Sequence, residues 1–344
     1  MWQVVGQNRA VSLLQRSLEK GSLSHAYLFV GPPHVGKMTL ALNLAQTLNC
    51  DATEPPCGEC VSCQKTASAK HPDVQTIGLA TNNSTTEVKP RVEISIEQVR
   101  EMQHSASLPP FEGKYKTFII NGAEQLSIEA ANCLLKLLEE PASYIVFMLL
   151  TTNERLLPAT VLSRCQRLEL LPMATTDIEA TLSDGWGIEP QKARLLAKLS
   201  HGHLGWAMLT TTNNDLLQQR DEMIDKLQNI MDGPNYEERF AYARLLASQF
   251  SQRRDIVQEV LTLWLEWWHD LLLINTGCPG AITNIDYEAI LVDTAKGYDL
   301  TQIKTMIISI QAASQQLKQN ANPQLVLEVL MLRIPEKERI IKYG

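Results

Sequence analysis

No stretch of this sequence approaches eighteen uninterrupted apolar residues, which argues against a membrane-spanning helix. The first residues, Met1-Trp2-Gln3-Val4, lack both the basic start and the apolar run of a secretory signal, so a cytoplasmic location is expected. A basic excess is missing as well. With 38 acidic against 31 basic residues the net charge is −7, the wrong sign for coating DNA by bulk electrostatics, so any DNA contact is expected to be shared with partners. No internal repeat or low-complexity segment stands out. What remains is ordinary globular material: 344 residues, 44% apolar and 20% charged, long enough for two or three domains with a core in each.

The first half alternates strand-like apolar runs with helical stretches, as a parallel sheet with crossover helices does. Tyr27 to Val30, Lys116 to Ile120 and Tyr144 to Leu150 are the clearest strands, and the first leads through a glycine-bearing loop into a helix carrying Leu40, Ala41, Leu44, Ala45 and Leu48. Beyond about Pro172 strand signals stop. The chain there reads as helices broken at Gly185 to Gly187, Gly202 to Gly205 and Asp232-Gly233-Pro234, which puts domain boundaries near 170 and 233. Residues 256–274 carry Trp264, Trp267 and Trp268 among Ile, Val and Leu around nearly the whole helix. That pattern fits a buried bundle helix better than a subunit interface. Asn322-Pro323 supplies a helix start, an amide oxygen to cap free N–H groups followed by a proline where a missing N–H costs little.

Gly31-Pro32-Pro33-His34-Val35-Gly36-Lys37 follows a strand and precedes a helix, the context in which backbone N–H groups ring a phosphate and the lysine reaches its outer oxygens. Gly31, Gly36 and Lys37 are therefore candidate nucleotide-binding residues. The next position needs a hydroxyl for Mg²⁺ but holds Met38, a poor ligand for a hard cation. Thr39 comes one residue late, turned by about 100 degrees on a helix of 3.6 residues per turn. The second strand of such a site should end in an acidic pair; here it ends in Asn121-Gly122, with Glu124 two residues beyond. Gly31, Gly36, Lys37 and Thr39 thus form a relict loop. ATP hydrolysis is not expected, and ATP binding is in doubt.

Four of the seven cysteines, Cys50, Cys57, Cys60 and Cys63, fall within fourteen residues, with a Pro55-Pro56 turn between the first two. In a cytosolic chain such clustering points to metal before disulfide. Four thiolates satisfy tetrahedral zinc and close the site, which suits a structural role. An iron–sulfur site uses a similar run but takes its remaining cysteine from downstream, and a redox pair would leave two thiols idle. Cys133, Cys165 and Cys278 read as ordinary buried or motif cysteines.

Several segments carry a specific likeness. Ser127 to Pro141, with its Leu134-Leu135-Lys136-Leu137-Leu138-Glu139-Glu140 run, resembles the helix after the second ATPase motif in replicative clamp loaders. Ser163-Arg164-Cys165, after the third strand, resembles the arginine-finger motif of that family, whose fold implies that this strand runs toward the nucleotide edge and that Arg164 projects toward a neighbouring subunit. Val5-Gly6-Gln7 with Ser24-His25-Ala26-Tyr27 is similar to its N-terminal segment, and Asn320 to Leu325 to the ending of its bacterial members. The resemblance is to the clamp-loader subunits of bacterial DNA polymerase III and covers the chain in order, weakly from about 235 to 315.

That resemblance implies an α/β fold of AAA+ type. Its parts would be a P-loop parallel-sheet domain at 1–170 with a zinc module at about 50–63, a small helical lid domain at 171–232, and a C-terminal all-helical collar domain for oligomerisation at 233–344. It also implies structural zinc on Cys50, Cys57, Cys60 and Cys63. The gamma/tau ATPase members have the acidic pair at Asn121 and Gly122, a threonine at Met38, and a sensor arginine at the position aligned with Gly205. All four groups are missing here, while Arg164 is kept. This is the pattern of a non-hydrolysing member. An arginine reaching a neighbour's nucleotide can be worth about 10³ to 10⁵ in rate whether or not its owner hydrolyses anything. The commoner fate of a lone arginine is an ordinary salt bridge, and the motif favours the finger. Expected partners are gamma/tau ATPase subunits and the delta subunit, with the sliding clamp and primer–template DNA reached through the complex, and no membrane. An active gamma/tau-type ATPase and a zinc-dependent nucleic-acid-binding module with a relict P-loop are the alternatives.

Overall fold

The structure is a computed structural model and describes residues 2–79, 93–213, 215–233 and 235–336. Met1 and Pro234 lie outside them. The chain divides into two compact units, one of residues 1–178 with 201–206, the other of residues 179–200 with 207–344.

The first unit is built on a five-stranded parallel sheet of β1 (Ala26–Val30), β2 (Val74–Ile77), β3 (Lys116–Asn121), β4 (Ile145–Thr151) and β5 (Gln166–Glu169), in the order β2-β3-β4-β1-β5. Its helices are α1 (Asn8–Glu19), α2 (Lys37–Asn49), α3 (Val61–Ala67), α4 (Ile96–Ala106), α5 (Ile128–Glu139) and α6 (Ala159–Leu162). Every residue of β1 and β4 is buried, which is why these strands read as unbroken apolar runs. The two-residue alternation sends Leu28 and Val30 to one face, with Phe118, Phe147 and Leu134 of α5, and Tyr27 and Phe29 to the other, with Leu40 and Leu44 of α2. Each fully buried Leu or Phe stabilises the fold by about 1.5–3 kcal/mol. α5 starts at Ser127, whose hydroxyl accepts the Ala130 amide at 3.1 Å. Ahead of β3 the chain is held by Asp73, fully buried, whose carboxylate accepts the amides of Phe111, Glu112 and Gly113 at 2.7, 2.9 and 2.8 Å.

The second unit is helical, with no strand among its described residues. After α7 (Thr175–Ala180) come α8 (Pro190–Leu199), α9 (Leu204–Thr212), α10 (Asp215–Asp232), α11 (Tyr236–Gln252), α12 (Arg254–Asn275), α13 (Glu288–Ala295), α14 (Leu300–Lys318) and α15 (Pro323–Arg333). α12 is the Trp-rich helix, and it is core: Trp264, Trp267 and Trp268 are 0%, 1% and 0% exposed. Trp267 and Trp268 meet the edges of Tyr287 and Tyr298, with ring centres 5.8 and 5.1 Å apart. Their core runs across residue 233, because Ile224, Leu227, Ile230 and Met231 of α10 join it from the other side. α15 begins as its sequence requires, with the Asn322 side chain accepting the Leu325 amide at 3.2 Å and Pro323 in the first turn.

Candidate functional site

The loop after β1 opens where the sheet order changes direction, between β4 and β5, the usual position of a phosphate site in an open parallel sheet. It enters α2 through Gly36 at φ +102°, a conformation that L side chains rarely adopt. Lys37 then turns back on its own loop. Its ammonium donates to the carbonyls of Gly31 and Pro32 at 2.6 and 2.7 Å, and burial lowers its pKa, with the nearby Glu124 partly opposing. Met38 packs against the core under the sheet, and Thr39 points to solvent on the first turn of α2. Asn121 ends β3 exposed.

Residues 201–206 fold back onto this unit. The Gly205 amide donates to the His34 carbonyl at 3.0 Å, and a Cβ built on Gly205 would lie 2.7 Å from that same oxygen. No side chain fits there without moving backbone, which closes by packing the position where the resemblance implies a sensor arginine in the ATPase members. His203 lies in the same neighbourhood. Burial lowers its pKa, and His201, His34 and Lys37 lower it further; His34 is lowered by burial and by Lys37. Glu124 is the acid that does approach Lys37. Burial raises its pKa, but donation from the Thr152 hydroxyl at 2.6 Å and amide at 3.1 Å outweighs this and holds the carboxyl below its ordinary value. Its other oxygen is buried without a hydrogen-bond partner. The sequence carried Glu124 only as an acid out of register; the Thr151-Thr152 pair at the end of β4 is the signal that it would be held.

Arg164 does not follow a strand running toward the nucleotide edge, as the sequence reading has it. α6 intervenes after β4, and Arg164 lies two residues before β5. The error comes from β5, whose Gln-Arg-Leu-Glu sequence has no apolar run. Gln166 pairs with Tyr27, four residues before Gly31, so Arg164 lies toward the opposite edge of the sheet from its own loop, beyond about 13 Å at 3.3 Å per residue. Its Nη2 donates to Glu139 Oε1 at 2.7 Å and its Nη1 to the Thr160 carbonyl at 2.9 Å. The bland expectation for this arginine, a salt bridge, is therefore present, and one third of the side chain remains exposed.

Cys50, Cys57, Cys60 and Cys63 converge, with all four sulfurs within 4.8 Å of one another and Cys50 and Cys57 3.5 Å apart. Tetrahedral thiolates about 2.3 Å from one metal ion would be about 3.8 Å apart, so the spacing fits a single ion. An iron–sulfur core, with several atoms between its thiolates, would spread them further. α3 begins inside the site, and the Cys60 sulfur accepts the Cys63 amide at 3.4 Å. Amide donation from Cys60 and Glu59 lowers the Cys57 thiol to about 6, while burial pushes Cys63 up to about 12. Without a metal ion that burial favours the neutral thiol; a thiolate at Cys63 would call for a compensating positive charge, which a bound cation would supply. Of the other cysteines, Cys133 and Cys165 are half-buried, and burial pushes Cys165 up to about 11. Cys278 differs from its reading: it is exposed, because it sits in the turn that ends α12, after Gly277 at φ +80°.

The model of a family described as DNA polymerase III, delta subunit, matches residues 6–174, and that of its C-terminal part matches residues 214–336. The delta-prime subunit of Bacillus subtilis DNA polymerase III is 29% identical, with 96% of each chain covered. The tau subunit of the same organism is 25% identical over 96% of this chain, which spans only 60% of tau. A solved gamma-subunit-related protein of Thermotoga maritima superposes with a TM-score of 0.44 at 18% identity, covering 96% of this chain and all of the other. No described helix is long and apolar enough to cross a membrane. With a parallel sheet that carries a P-loop, a helical C-terminal half and family matches along most of its length, this chain belongs to the clamp-loader subunits of DNA polymerase III.

Proposed function

We propose that this chain is the delta-prime-type subunit of its clamp loader: a stator that hydrolyses no ATP, offers Arg164 to the nucleotide of a neighbouring gamma/tau-type ATPase subunit, and helps to place the sliding clamp on primed DNA. In this reading residues 171–232 serve as the lid and 233–344 as the collar, with α10 packed into the collar's core, and the four cysteines hold a structural zinc ion that keeps residues 50–67 folded. Cytoplasmic replication is where such a subunit works.

The observation that carries the reading is the self-occupied phosphate loop. Lys37 is bonded to the carbonyls of its own loop, Gly205 is seated on His34, and no hydroxyl or acidic pair stands at the metal positions. A nucleotide would have to displace the lysine from two carbonyls and would find no ligand set for Mg²⁺. Arg164 supports the other half of the reading by lying away from this loop, where it cannot serve its own chain.

An active ATPase of gamma/tau type is the second reading, and Glu124 is what favours it, a carboxylate near Lys37 with one oxygen unpartnered. One experiment separates the two. ATP turnover is measured for the purified chain, for the cognate ATPase subunits, and for the reconstituted complex with clamp and primed DNA. The stator reading expects none from the chain alone and a rise on its addition. Turnover by the chain alone that Lys37→Ala and Glu124→Gln abolish would select the ATPase.

A further inference from the structure

We propose that Glu139 is a positioning residue for Arg164, fixing the plane of the guanidinium so that its free donors are presented to a neighbour's phosphate; this rests on the finger reading of Arg164 given above.

An arginine side chain in water samples many rotamers, and immobilising it costs conformational entropy. A finger that must be ordered when it meets a phosphate subtracts that cost from transition-state stabilisation. One anchored beforehand does not. Arg164 is anchored at two points on different elements. Glu139, the last residue of α5, takes Nη2 at 2.7 Å, and the Thr160 carbonyl, in the single turn of α6, takes Nη1 at 2.9 Å. Contacts from two directions define a plane, whereas Nη1 alone, held by the Thr160 carbonyl and at 3.5 Å by the Ser163 hydroxyl, would leave the far side of the group free to swing.

The anchoring leaves donors to spare. A guanidinium has five N–H groups, and here Nε–H and the second Nη2 hydrogen have no hydrogen-bond partner among the described residues. Free guanidinium N–H groups of this kind are what phosphate oxygens accept from. Arg164 and Glu139 are 34% and 51% exposed along their side chains, so the pair sits at a surface where a second subunit can reach it. Glu139 also sits where a carboxylate is disfavoured on local grounds, at the negative end of a helix, and the cation beside it offsets that. A residue kept for helix stability alone would have the opposite charge.

The test uses the complete clamp loader, reconstituted from this chain and its cognate subunits, with ATP hydrolysis measured in the presence of clamp and primed DNA. Glu139→Ala should lower kcat by about threefold with KM for ATP unchanged, partial because only one site of the ring is affected. Glu139→Gln, which keeps an acceptor oxygen and loses the charge, should fall between it and wild type. In an Arg164→Ala background Glu139→Ala should have no further effect. Assembly and thermal unfolding are checked first, and the near-isosteric Gln variant serves if Ala disturbs either. Turnover at or above the wild-type rate in both Glu139 variants, while Arg164→Ala still falls, overturns the positioning role and leaves the finger intact. A further fall in the Arg164→Ala background also overturns it, because Glu139 would then act through something else. If Arg164→Ala itself hydrolyses at the wild-type rate, the finger reading fails first.

Discussion

Arg239 donates through Nη1 to the carbonyl of Ile334 at 3.0 Å, although the two residues are 95 positions apart and Arg239 is only 2% exposed. The same side chain gives Nε to the Ile230 carbonyl at 3.2 Å and lies over the Tyr236 ring. Its partners are carbonyls at the C-terminal ends of α10 and α15, where helices leave acceptors unpaired and the macrodipole is negative. One buried cation thus caps two helices. Arg239→Met should lower the stability of the helical unit by about 2–4 kcal/mol, and Arg239→Lys should recover only part, since an ammonium lacks the planar fork. Denaturant unfolding followed by tryptophan fluorescence reads this, because three of the six tryptophans lie in that core. A change below about 0.5 kcal/mol would mean that water replaces the arginine without penalty.

The seating of Gly205 gives a second expectation. Gly205→Arg supplies an arginine where the resemblance to the ATPase members implies a sensor arginine, yet its Cβ would meet the His34 carbonyl at 2.7 Å. The variant should be destabilised by about 1–3 kcal/mol and gain no ATP turnover, alone or with Met38→Thr. Turnover at several per minute in the double variant would show that the loop still reaches an open, competent form.

For the cysteine site, elemental analysis of the purified chain should find one zinc and no iron. Chelation should unfold residues 50–67 locally and leave the sheet intact, and Cys60→Ser with Cys63→Ser should do the same. Hydrogen exchange confined to that segment after chelation is the expected readout. Full zinc content in the double variant would remove these residues from the ligand set.

Asp73 sets a pH dependence with a definite sign. Burial pushes its carboxyl up, but three backbone amides outweigh this and hold it below the ordinary carboxylate range. A depressed folded-state pKa contributes stability that is present above the unfolded value, about 3.9, and is lost as pH falls through the folded value. The first unit should therefore lose this contribution below about pH 4. Asp73→Asn should cost about 2–3 kcal/mol at pH 7 and flatten the acid limb of the stability curve. An acid limb unchanged in the variant would assign it to other carboxylates.

What the sequence made legible follows from how each element is held. β1, β3 and β4 are buried on both faces, so their apolar runs are visible, and their bounds fall within a residue of expectation. β2 and β5 went unread for the opposite reason. They are four-residue edge strands, and Val-Gln-Thr-Ile and Gln-Arg-Leu-Glu owe their conformation to pairing with β3 and β1. Missing β5 displaced Arg164 to the wrong end of the sheet. The phosphate loop and the four cysteines were readable because their ligand sets are local in sequence. Glu139 and Thr160 were not, because their relation to Arg164 is made by folding α5 and α6 together.

The contact between Gly205 and His34 also makes one backbone carbonyl answer to two distant stretches of sequence. Any side chain added at 205 has to push on residue 34, so a change made in residues 201–206 is felt in the loop after β1 before any ligand is present.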